Sequence, residues 1–339
     1  MNQGELESIA RSLVVPGKGI LAADESAPTI EKRFQAIQLP STEENRRAYR
    51  DLLFTTPGIS GFISGVILYD ETIRQSSSDR TPFPKVLESQ GIVPGIKVDE
   101  GAKALAGFPG EKITEGLDGL RGRLAAYRDL GVRFAKWRAV IDIGDGIPTA
   151  CCLEANAHAL ARYAALCQEA GLVPIVEPEV LMDGGHAIER CEEVTTEILS
   201  RVYADLARHR VHLEGTLLKP NMVLSGKKCP VQAGVDQVAE ATVRTLKRVV
   251  PPAVPGIVFL SGGQTPRQAT EHLSAMNAMG KHPWELSFSY GRALQDPVLK
   301  AWKGQAGNVP EAQKAFFHRA KLNGAARHGN YSPTMEAAA

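Results

Sequence analysis

Eight short apolar runs recur along the chain at fairly even spacing, and their richness in β-branched residues predicts β-strands. They span residues 19–24, 63–70, 93–98, 134–141, 173–180, 216–223, 256–261 and 285–290. Between most of them lie stretches of helical period, most clearly over 117–130, 150–170, 188–209, 231–249 and 265–279. Strands that alternate with helices pair in parallel through right-handed crossovers, so this pattern predicts an α/β fold with a parallel sheet.

Eight strand–helix repeats predict a single closed (β/α)8 TIM barrel. The 339 residues exceed the roughly 250 that such a barrel typically needs, and the surplus predicts an extra N-terminal helix and a C-terminal segment. We assign residues 1–333 to the barrel domain and residues 334–339 to a short flexible C-terminal tail. An open doubly wound sheet is the competing architecture, but the G-x-G-x-x-G fingerprint expected after one of its strands is absent from the sequence.

The composition excludes several classes of protein. The content of 43% hydrophobic and 23% charged residues is typical of a globular chain, and no run reaches the roughly 18 apolar residues of a spanning helix. A net charge of +1 gives no reason to expect nucleic acid or membrane partners. The five cysteines are an odd number without C-x-x-C spacing, which predicts free thiols in the cytoplasm rather than disulfides or a zinc site.

Charged residues lie at or near the carboxyl ends of most predicted strands. They are Asp24, Lys97, Asp99, Lys136, Arg138, Glu177, Glu179 and Lys219. Any one of these charges could belong to a structural ion pair, because lone charges are rarely interior. One mouth of a barrel collects all the carboxyl strand ends, however, and the active sites of this fold lie there. The repeated pattern therefore predicts one mixed cluster of lysines and carboxylates.

Such a cluster suits carbonyl chemistry. A lysine flanked by other cations in a partly dry site has a lowered pKa, and its free amine can condense with a carbonyl group. Neighbouring carboxylates can supply the proton transfers. The strand ends Ser261-Gly262-Gly263 and Ser289-Tyr290-Gly291 offer backbone N–H groups to a phosphate, which Arg292 could bind bidentately. These features indicate a phosphorylated carbonyl substrate without identifying it.

Nine sequence segments, most of them at predicted strand ends, are more specific. They read GILAADES, TEENRR, GIKVD, FAKWR, VPIVEPE, LEGTLLKPNMV, VPPAV, FLSGGQ and FSYGRALQ. They resemble the class I fructose-bisphosphate aldolases, and the resemblance runs collinearly over nearly the whole chain. It implies a (β/α)8 homotetramer that needs no metal or other cofactor. It also implies reversible cleavage of fructose 1,6-bisphosphate to dihydroxyacetone phosphate and glyceraldehyde 3-phosphate through a lysine Schiff base, a step of glycolysis and gluconeogenesis.

The resemblance assigns catalytic roles to five residues. Lys219, in LLKPNM, matches the lysine that forms the Schiff base with the substrate ketone. Glu177 matches the general acid/base of carbinolamine formation and dehydration, and Glu179 matches a second acid that holds the cluster in place. Asp24 matches the residue that accepts the C4 hydroxyl proton while the C3–C4 bond breaks. Lys136 matches a lysine that tunes the electrostatics beside the nucleophile.

The resemblance also implies a set of substrate-binding residues that surround the two phosphates. They are Lys32, Arg33, Arg46, Lys97, Arg138, Ser261, Gly262, Gly263, Ser289, Gly291 and Arg292. Several of these basic residues share the task of holding the phosphates. Arg46 lies at the polar start of a predicted helix, where a purely structural ion pair is the alternative.

Two departures from the family pattern bear on the mechanism. Ala27-Pro28 stands where the family often has Thr-Gly, so we expect a substrate loop of different mobility. Many members end in a flexible tail with a terminal tyrosine that helps to protonate the enamine, whereas this sequence closes with MEAAA. We therefore expect carbon–carbon cleavage to be retained, while protonation of the enamine is slower or uses another acid.

Three other functions compete with this one. Another Schiff-base barrel lyase, acting on a different keto sugar or keto acid, would share the lysine, but two separated phosphate-binding sets favour a bisphosphate. A metal-dependent aldolase fits poorly because no histidine occupies a predicted strand end. A binding or scaffolding protein without chemistry is disfavoured because Asp24, Lys136, Glu177 and Lys219 are all present.

Overall fold

Eight parallel strands close into a barrel in the computed structural model, which describes residues 2–337. The strands of the chain are β1 (Gly19–Ala22), β2 (Ile63–Leu68), β3 (Val93–Lys97), β4 (Ala102–Ala104), β5 (Lys112–Thr114), β6 (Phe134–Ile141), β7 (Val173–Val180), β8 (Leu217–Leu218), β9 (Gly256–Phe259) and β10 (Glu285–Tyr290). Hydrogen bonds join the barrel strands in the order β1, β2, β3, β6, β7, β8, β9, β10 and back to β1. The predicted (β/α)8 barrel is confirmed, and each predicted run contains one of its strands.

Helices connect the barrel strands and extend the chain at both ends. The α-helices are α1 (Gln3–Leu13), α2 (Ala27–Gln35), α3 (Glu43–Phe54), α4 (Asp70–Ile73), α5 (Phe83–Ser89), α6 (Leu120–Asp129), α7 (Ala150–Glu169), α8 (Ile188–Arg208), α9 (Val235–Val249), α10 (Pro266–Ala278), α11 (Arg292–Trp302) and α12 (Val309–Ala326). Helix α1 precedes the first strand and α12 follows the last, as predicted for the extra segments. No helix in residues 2–337 is long and apolar enough to cross a bilayer.

The C-terminal segment is attached to α12 by partly buried ionic contacts. It ends in a short 3-10 helix, Pro333–Ala337. Arg319 Nη1 donates to both carboxylate oxygens of Glu336, at 2.6 and 2.7 Å, and the hydroxyl of Tyr331 donates to Glu336 Oε1 at 2.8 Å. Residues 338 and 339 of the predicted flexible tail lie outside the described residues, so its flexibility stays a prediction.

The amino-terminal half of the barrel interior is apolar and is closed by helix α1. Leu6, Ala10 and Leu13 of this helix form one buried cluster with inward-facing strand residues. The others in this cluster are Val14, Ile20, Ala22, Ile67, Phe134, Val173, Ile175, Leu217 and Val258. The ring of Phe134 occupies the space that Gly95 leaves open, since a Cβ built on Gly95 would lie 2.2 Å from Phe134 Cζ. Small residues on neighbouring strands therefore let one aromatic ring fill the barrel floor.

The same inward-facing rows turn polar toward the carboxyl ends of the strands. Alternate residues of a strand share a face, so each row can be followed along its strand. The rows are Ile20, Ala22 and Asp24; Phe134, Lys136 and Arg138; Val173, Ile175, Glu177 and Glu179; and Leu217 and Lys219. The apolar floor thus supports a layer of charged side chains that opens toward one mouth of the barrel.

A β-hairpin between β3 and α6 is an addition that the sequence analysis did not predict. Strands β4 and β5 pair antiparallel over three residues each. The side chains of β4 are exposed, so these residues carry no run of buried apolar positions that would reveal a strand. The hydroxyl of Thr114 donates to the carbonyl of Arg138 at 2.7 Å, which attaches the hairpin to the mouth of the barrel.

We predict that Gly95→Ala lowers the free energy of unfolding by about 1–3 kcal/mol, because the added methyl group overpacks the barrel floor against Phe134. Gly95→Ala combined with Phe134→Leu should recover part of the loss, because the leucine leaves room for the methyl group. Gly122→Ala is the control: it lies within α6, and a Cβ there meets nothing within 4 Å. Urea titration measures all three variants, and equal stability of Gly95→Ala and the wild type would contradict the packing described here.

Candidate active site

A cavity of about 1290 Å³ opens at the carboxyl ends of the barrel strands. All five predicted catalytic residues line it, namely Asp24, Lys136, Glu177, Glu179 and Lys219. Nine of the predicted binding residues line it as well, namely Lys32, Arg33, Lys97, Arg138, Ser261, Gly262, Ser289, Gly291 and Arg292. Residues that are far apart in the sequence therefore meet at one mouth of the barrel.

Two predicted binding residues, Arg46 and Gly263, are not part of this lining in the described part of the chain. Arg46 donates from Nε and Nη2 to the carboxylate of Glu71, at 2.7 and 2.6 Å, and from Nη1 to the carbonyl of Ser41 at 2.5 Å. Arg46 thus forms a structural ion pair, which was the alternative to a substrate-binding role. Gly263 has a φ of +77°, and a Cβ there would lie 2.0 Å from Met182 Cγ, so it shapes the turn behind Gly262.

Glu177 lies between the two buried lysines of the cavity. Its Oε1 is 3.2 Å from Lys219 Nζ, and its Oε2 is 3.2 Å from Lys136 Nζ. Lys136 Nζ is also 2.7 Å from Asp24 Oδ2. Lys136 and Glu177 belong to β6 and β7, which pair in parallel, and Asp24 and Lys219 follow β1 and β8. Four strand ends therefore contribute one continuous series of charges, Asp24–Lys136–Glu177–Lys219.

Asp24 and Lys136 keep each other ionised. Burial alone would raise the pKa of the Asp24 carboxyl, but the positive charges of Lys136 and Lys219 outweigh burial and hold this pKa well below its usual range. Burial also opposes the charge of Lys136, but the carboxylates of Asp24 and Glu177 more than offset it and raise the pKa of Lys136 above its usual value. Near neutral pH, Asp24 is thus a carboxylate and Lys136 a fixed cation.

Glu179 connects this cluster to the glycine-rich end of β9. Arg138 Nε donates to Glu179 Oε2, and although burial lowers the pKa of Arg138, the charges of Glu179 and Glu177 raise it above its usual value. A Cβ on Gly262 would lie only 2.9 Å from Glu179 Oε1, so the glycine permits the carboxylate to pack against this loop. Glu179 therefore pairs with the arginine and packs against the loop.

Asp99 and Glu25 are functional candidates to which the sequence analysis assigned no role. Asp99 Oδ1 lies 2.7 Å from Lys97 Nζ, and Asp99 Oδ2 accepts from the backbone N–H of Arg138 at 3.3 Å. Glu25 accepts hydrogen bonds from Arg33 and from two residues outside the cavity. Both carboxylates hold a cavity-lining cation. Their position beside predicted strand ends was the available signal, but a sequence pattern does not show which cation each one meets.

The ends of β9 and β10 and the start of α11 bring hydroxyl, guanidinium and backbone groups together at one side of the cavity. Helix α11 begins at Arg292, directly after Gly291, and both residues line the cavity, so the N-terminus of this helix lies at the cavity wall. Ser261 Oγ accepts from the N–H of Ala293 at 3.4 Å, and the buried Oγ of Ser289 has no hydrogen-bond partner within residues 2–337. A helix N-terminus with two hydroxyl groups and an arginine suits a phosphate group.

No three His, Cys, Asp or Glu side chains of the described residues are arranged to hold a metal ion. All five cysteines are unpaired thiols, and Cys152, Cys167 and Cys191 are buried. Burial raises the pKa of the Cys152 thiol to about 11, which keeps it protonated near neutral pH. The cavity therefore offers ammonium, guanidinium, carboxylate and hydroxyl groups for chemistry.

The chain is similar to known proteins over nearly its full length. The family model described as fructose-bisphosphate aldolase class-I matches residues 5–339. A probable fructose-bisphosphate aldolase class 1 from Xanthomonas campestris pv. campestris is 59% identical over 332 residues, which cover 98% of this chain and 99% of the relative. A fructose-bisphosphate aldolase from Dictyostelium discoideum is 54% identical, covering 97% and 93% of the two chains.

A solved structure is similar as well. It contains fructose-bisphosphate aldolase from Plasmodium falciparum in complex with TRAP and a small-molecule inhibitor. The TM-score is 0.96 at 50% sequence identity, and the match covers 97% of this chain and 96% of that one. Both the fold and the sequence therefore agree with one family along the whole barrel.

We predict that Lys136→Met lowers the free energy of unfolding by roughly 3–5 kcal/mol at neutral pH, because two buried carboxylates lose their shared cation. Adding Asp24→Asn should recover part of this loss. Lys112→Met is the matched control, because Lys112 forms a 3.0 Å pair with Asp142 at the cavity edge and is 42% exposed. It should cost less than about 1 kcal/mol. Guanidinium titrations measure the series, and equal losses at both lysines would contradict the cluster.

Lys136→Met should weaken the dependence of stability on pH that Asp24 contributes in the wild type. In the wild type the folded-state pKa of Asp24 is lowered, so its stabilising contribution is present above the usual value of 3.8 and is lost as the pH falls toward the lower folded-state value. Without Lys136, less positive charge opposes burial, so the folded-state pKa of Asp24 rises and the stability that its carboxylate contributes at neutral pH becomes smaller. Thermal melts across pH 3 to 7, with Asp24→Asn as the reference, measure the difference.

Proposed function

The chain belongs to the class I fructose-bisphosphate aldolase family, and we propose that the cavity at the mouth of its barrel is where it cleaves its substrate. The activity is the reversible aldol cleavage of fructose 1,6-bisphosphate to dihydroxyacetone phosphate and glyceraldehyde 3-phosphate, a step of glycolysis and gluconeogenesis. The position of Glu177, 3.2 Å from the ammonium groups of both Lys219 and Lys136, carries the proposal. It places a proton carrier beside a candidate nucleophile and a fixed cation.

Lys219 is the proposed nucleophile. After Lys219 passes one proton to Glu177, its amine adds to the C2 carbonyl carbon and the carbonyl π electrons move onto the oxygen. Glu177 then transfers a proton from the nitrogen to this oxygen, which gives a neutral carbinolamine and leaves Glu177 protonated. Glu177 then donates a proton to the departing hydroxyl group, which leaves as water and produces an iminium ion on Lys219. Because Lys219 and Glu177 are each 4% exposed, bulk water competes little with these transfers.

Asp24 is the proposed base of carbon–carbon cleavage. It accepts the C4 hydroxyl proton, the C4–O bond becomes the aldehyde carbonyl, and the C3–C4 electron pair moves toward the iminium to form an enamine. Its lowered pKa ensures that it is ionised before this step. Lys136 holds Asp24 at 2.7 Å and keeps the carboxylate in place while charge moves through the site.

Two sets of cationic and N–H groups support a bisphosphate as the substrate. One set comprises the ends of β9 and β10 with Arg292, and the other comprises Lys97 and Arg138 on β3 and β6. In the strand order of the barrel these two sets stand on opposite sides of the mouth. Glu177, on β7, and Lys219, directly after β8, lie between the two sets. A substrate bound at both of its phosphate groups would place its ketone near these two residues.

Borohydride reduction in the presence of dihydroxyacetone phosphate should add the reduced adduct to Lys219, as identified by peptide mass mapping. Lys219→Met should abolish the adduct and reduce kcat for fructose 1,6-bisphosphate by at least about 10³-fold, since no other amine takes its place. Lys227→Met is the control, because Lys227 pairs with Asp183 at 2.7 Å and half of its side chain is exposed. An adduct on another residue would overturn the assignment of the nucleophile.

We also propose that the protein is a cytoplasmic homotetramer. The resemblance to the family supports the tetramer, and five unpaired cysteines suit a reducing compartment. Light scattering coupled to gel filtration should give a mass of about four times the 36.5 kDa of one chain. A mass near that of one chain at micromolar concentration would refute the tetramer and leave the proposed chemistry untouched.

A further inference from the structure

Glu25 joins three helices beside the phosphate-binding side of the cavity. Its Oε1 accepts from Arg33 Nη1 of α2 and from Gln295 Nε2 of α11, the latter at 2.8 Å, and its Oε2 accepts from Arg50 Nη2 of α3 at 2.6 Å. Gln295 Nε2 also donates to the carbonyl of Ala22, at 2.7 Å, at the end of β1. The carboxylate is therefore fixed from several directions.

The two arginines that meet Glu25 differ in their access to the cavity. Arg33 lines the cavity, and a Cβ built on Gly291 would lie 3.6 Å from its Nη2, so its guanidinium lies beside the start of α11. Arg50 is 2% exposed and is not part of the cavity lining among residues 2–337. The buried Nη1 of Arg50 has no hydrogen-bond partner in that part of the chain. Arg50 thus places a buried positive charge behind Glu25 without touching the cavity.

The charge balance around this point depends on Arg50. Four positive charges act here, those of Arg33, Arg50, Arg292 and Lys300, together with three acidic groups, Asp24, Glu25 and Asp296. Burial would raise the pKa of Glu25, but Arg33 and Arg50 outweigh it and lower the pKa, so this carboxylate stays ionised. Without Arg50, the negative charge of Glu25 would act on Arg33 alone, and on any anion bound to it.

We propose that Arg50 is a positioning residue for phosphate binding: it neutralises Glu25 from behind, so that Arg33 faces the cavity with an uncompensated positive charge. This inference rests on the proposed function, because it concerns the phosphate groups of the same substrate. Its effect is electrostatic and acts through Glu25 and Arg33. It therefore predicts that the phosphate affinity depends on the sum of the charges of Glu25, Arg33 and Arg50, whichever residue supplies them. We call this relation the charge rule.

Four variants test the charge rule with inorganic phosphate as the probe. Arg50→Met should weaken phosphate binding about tenfold, the size expected for one charge removed several ångströms away at an effective dielectric constant near 20. Arg50→Lys keeps the charge and should bind within about threefold of the wild type. Glu25→Gln should bind phosphate severalfold more tightly, and Glu25→Gln combined with Arg50→Met should return close to the wild-type affinity. Isothermal titration calorimetry on the full chain measures each dissociation constant.

Arg47→Met is the matched control. Arg47 lies on the same helix, is partly exposed, and pairs with Glu44 at 2.7 Å and Asp51 at 3.5 Å. The same chemical change there should leave the phosphate affinity unaltered. In steady-state assays, Arg50→Met should raise KM for fructose 1,6-bisphosphate by a larger factor than it lowers kcat, which separates loss of binding from general damage.

Several outcomes would overturn this role for Arg50. A folded Arg50→Met protein that binds phosphate as tightly as the wild type would do so, as would equal losses in Arg50→Met and Arg50→Lys. If Arg50→Met does not fold, Glu25→Gln decides, because a purely structural role predicts weaker phosphate binding and the charge rule predicts tighter binding. Calorimetry does not depend on catalysis, so absence of aldol cleavage in the wild type would refute the proposed function separately.

Discussion

The ion pairs of Lys136 are the interaction on which the site depends. One buried ammonium group contacts Asp24 at 2.7 Å and Glu177 at 3.2 Å, and these residues belong to three different strand ends. Isolated charges would be too costly to bury, but mutual contact compensates each of them. Closure of the barrel brings the ends of β1, β6 and β7 around the same interior. The charge cluster therefore forms only in the closed barrel, and the barrel can bury these charges only because they are paired. Loss of the cation would leave two carboxylates in an interior that cannot solvate them.

The reacting centre is balanced in charge, whereas its surroundings are positive. Asp24, Lys136, Glu177 and Lys219 contribute two acids and two bases, and Arg138 with Glu179 forms a further neutral pair. Excess positive charge lies instead toward the start of α11, where Arg292 and Arg33 stand beside backbone N–H groups. Such a distribution supports the proposed binding of phosphate groups at the rim and leaves the proposed proton carriers at the centre able to change charge during the reaction.

Much of the fold followed from the sequence because barrel strands are buried on both faces and read as apolar runs. The strand bounds of Phe134–Ile141 and Val173–Val180 agree with the predicted runs residue by residue. The predicted run 216–223 contains only Leu217–Leu218 as a strand, because Pro220 has no N–H to continue the ladder. Two further backbone bonds follow the strand, from Lys219 N to Val176 O at 2.8 Å and from Leu260 N to Pro220 O at 3.1 Å. The short hairpin of β4 and β5 has no buried apolar pattern and was not predicted.

The residues of the candidate site were likewise predictable only in part. Residues that project into the barrel at strand ends, such as Lys136 and Lys219, were predictable because an unpaired charge in an apolar run needs an explanation. Residues that hold those charges were not, because Glu25 and Arg50 are 25 positions apart and only the packing of α3 beside α2 and the segment after β1 brings them together. Arg46 is the opposite case: its motif suggested a substrate-binding residue, but its guanidinium donates hydrogen bonds to Glu71. Sequence patterns identify where charge is concentrated, whereas tertiary packing decides the partner of each charge. Electrostatic control by a buried residue such as Arg50 is therefore visible only in the folded chain.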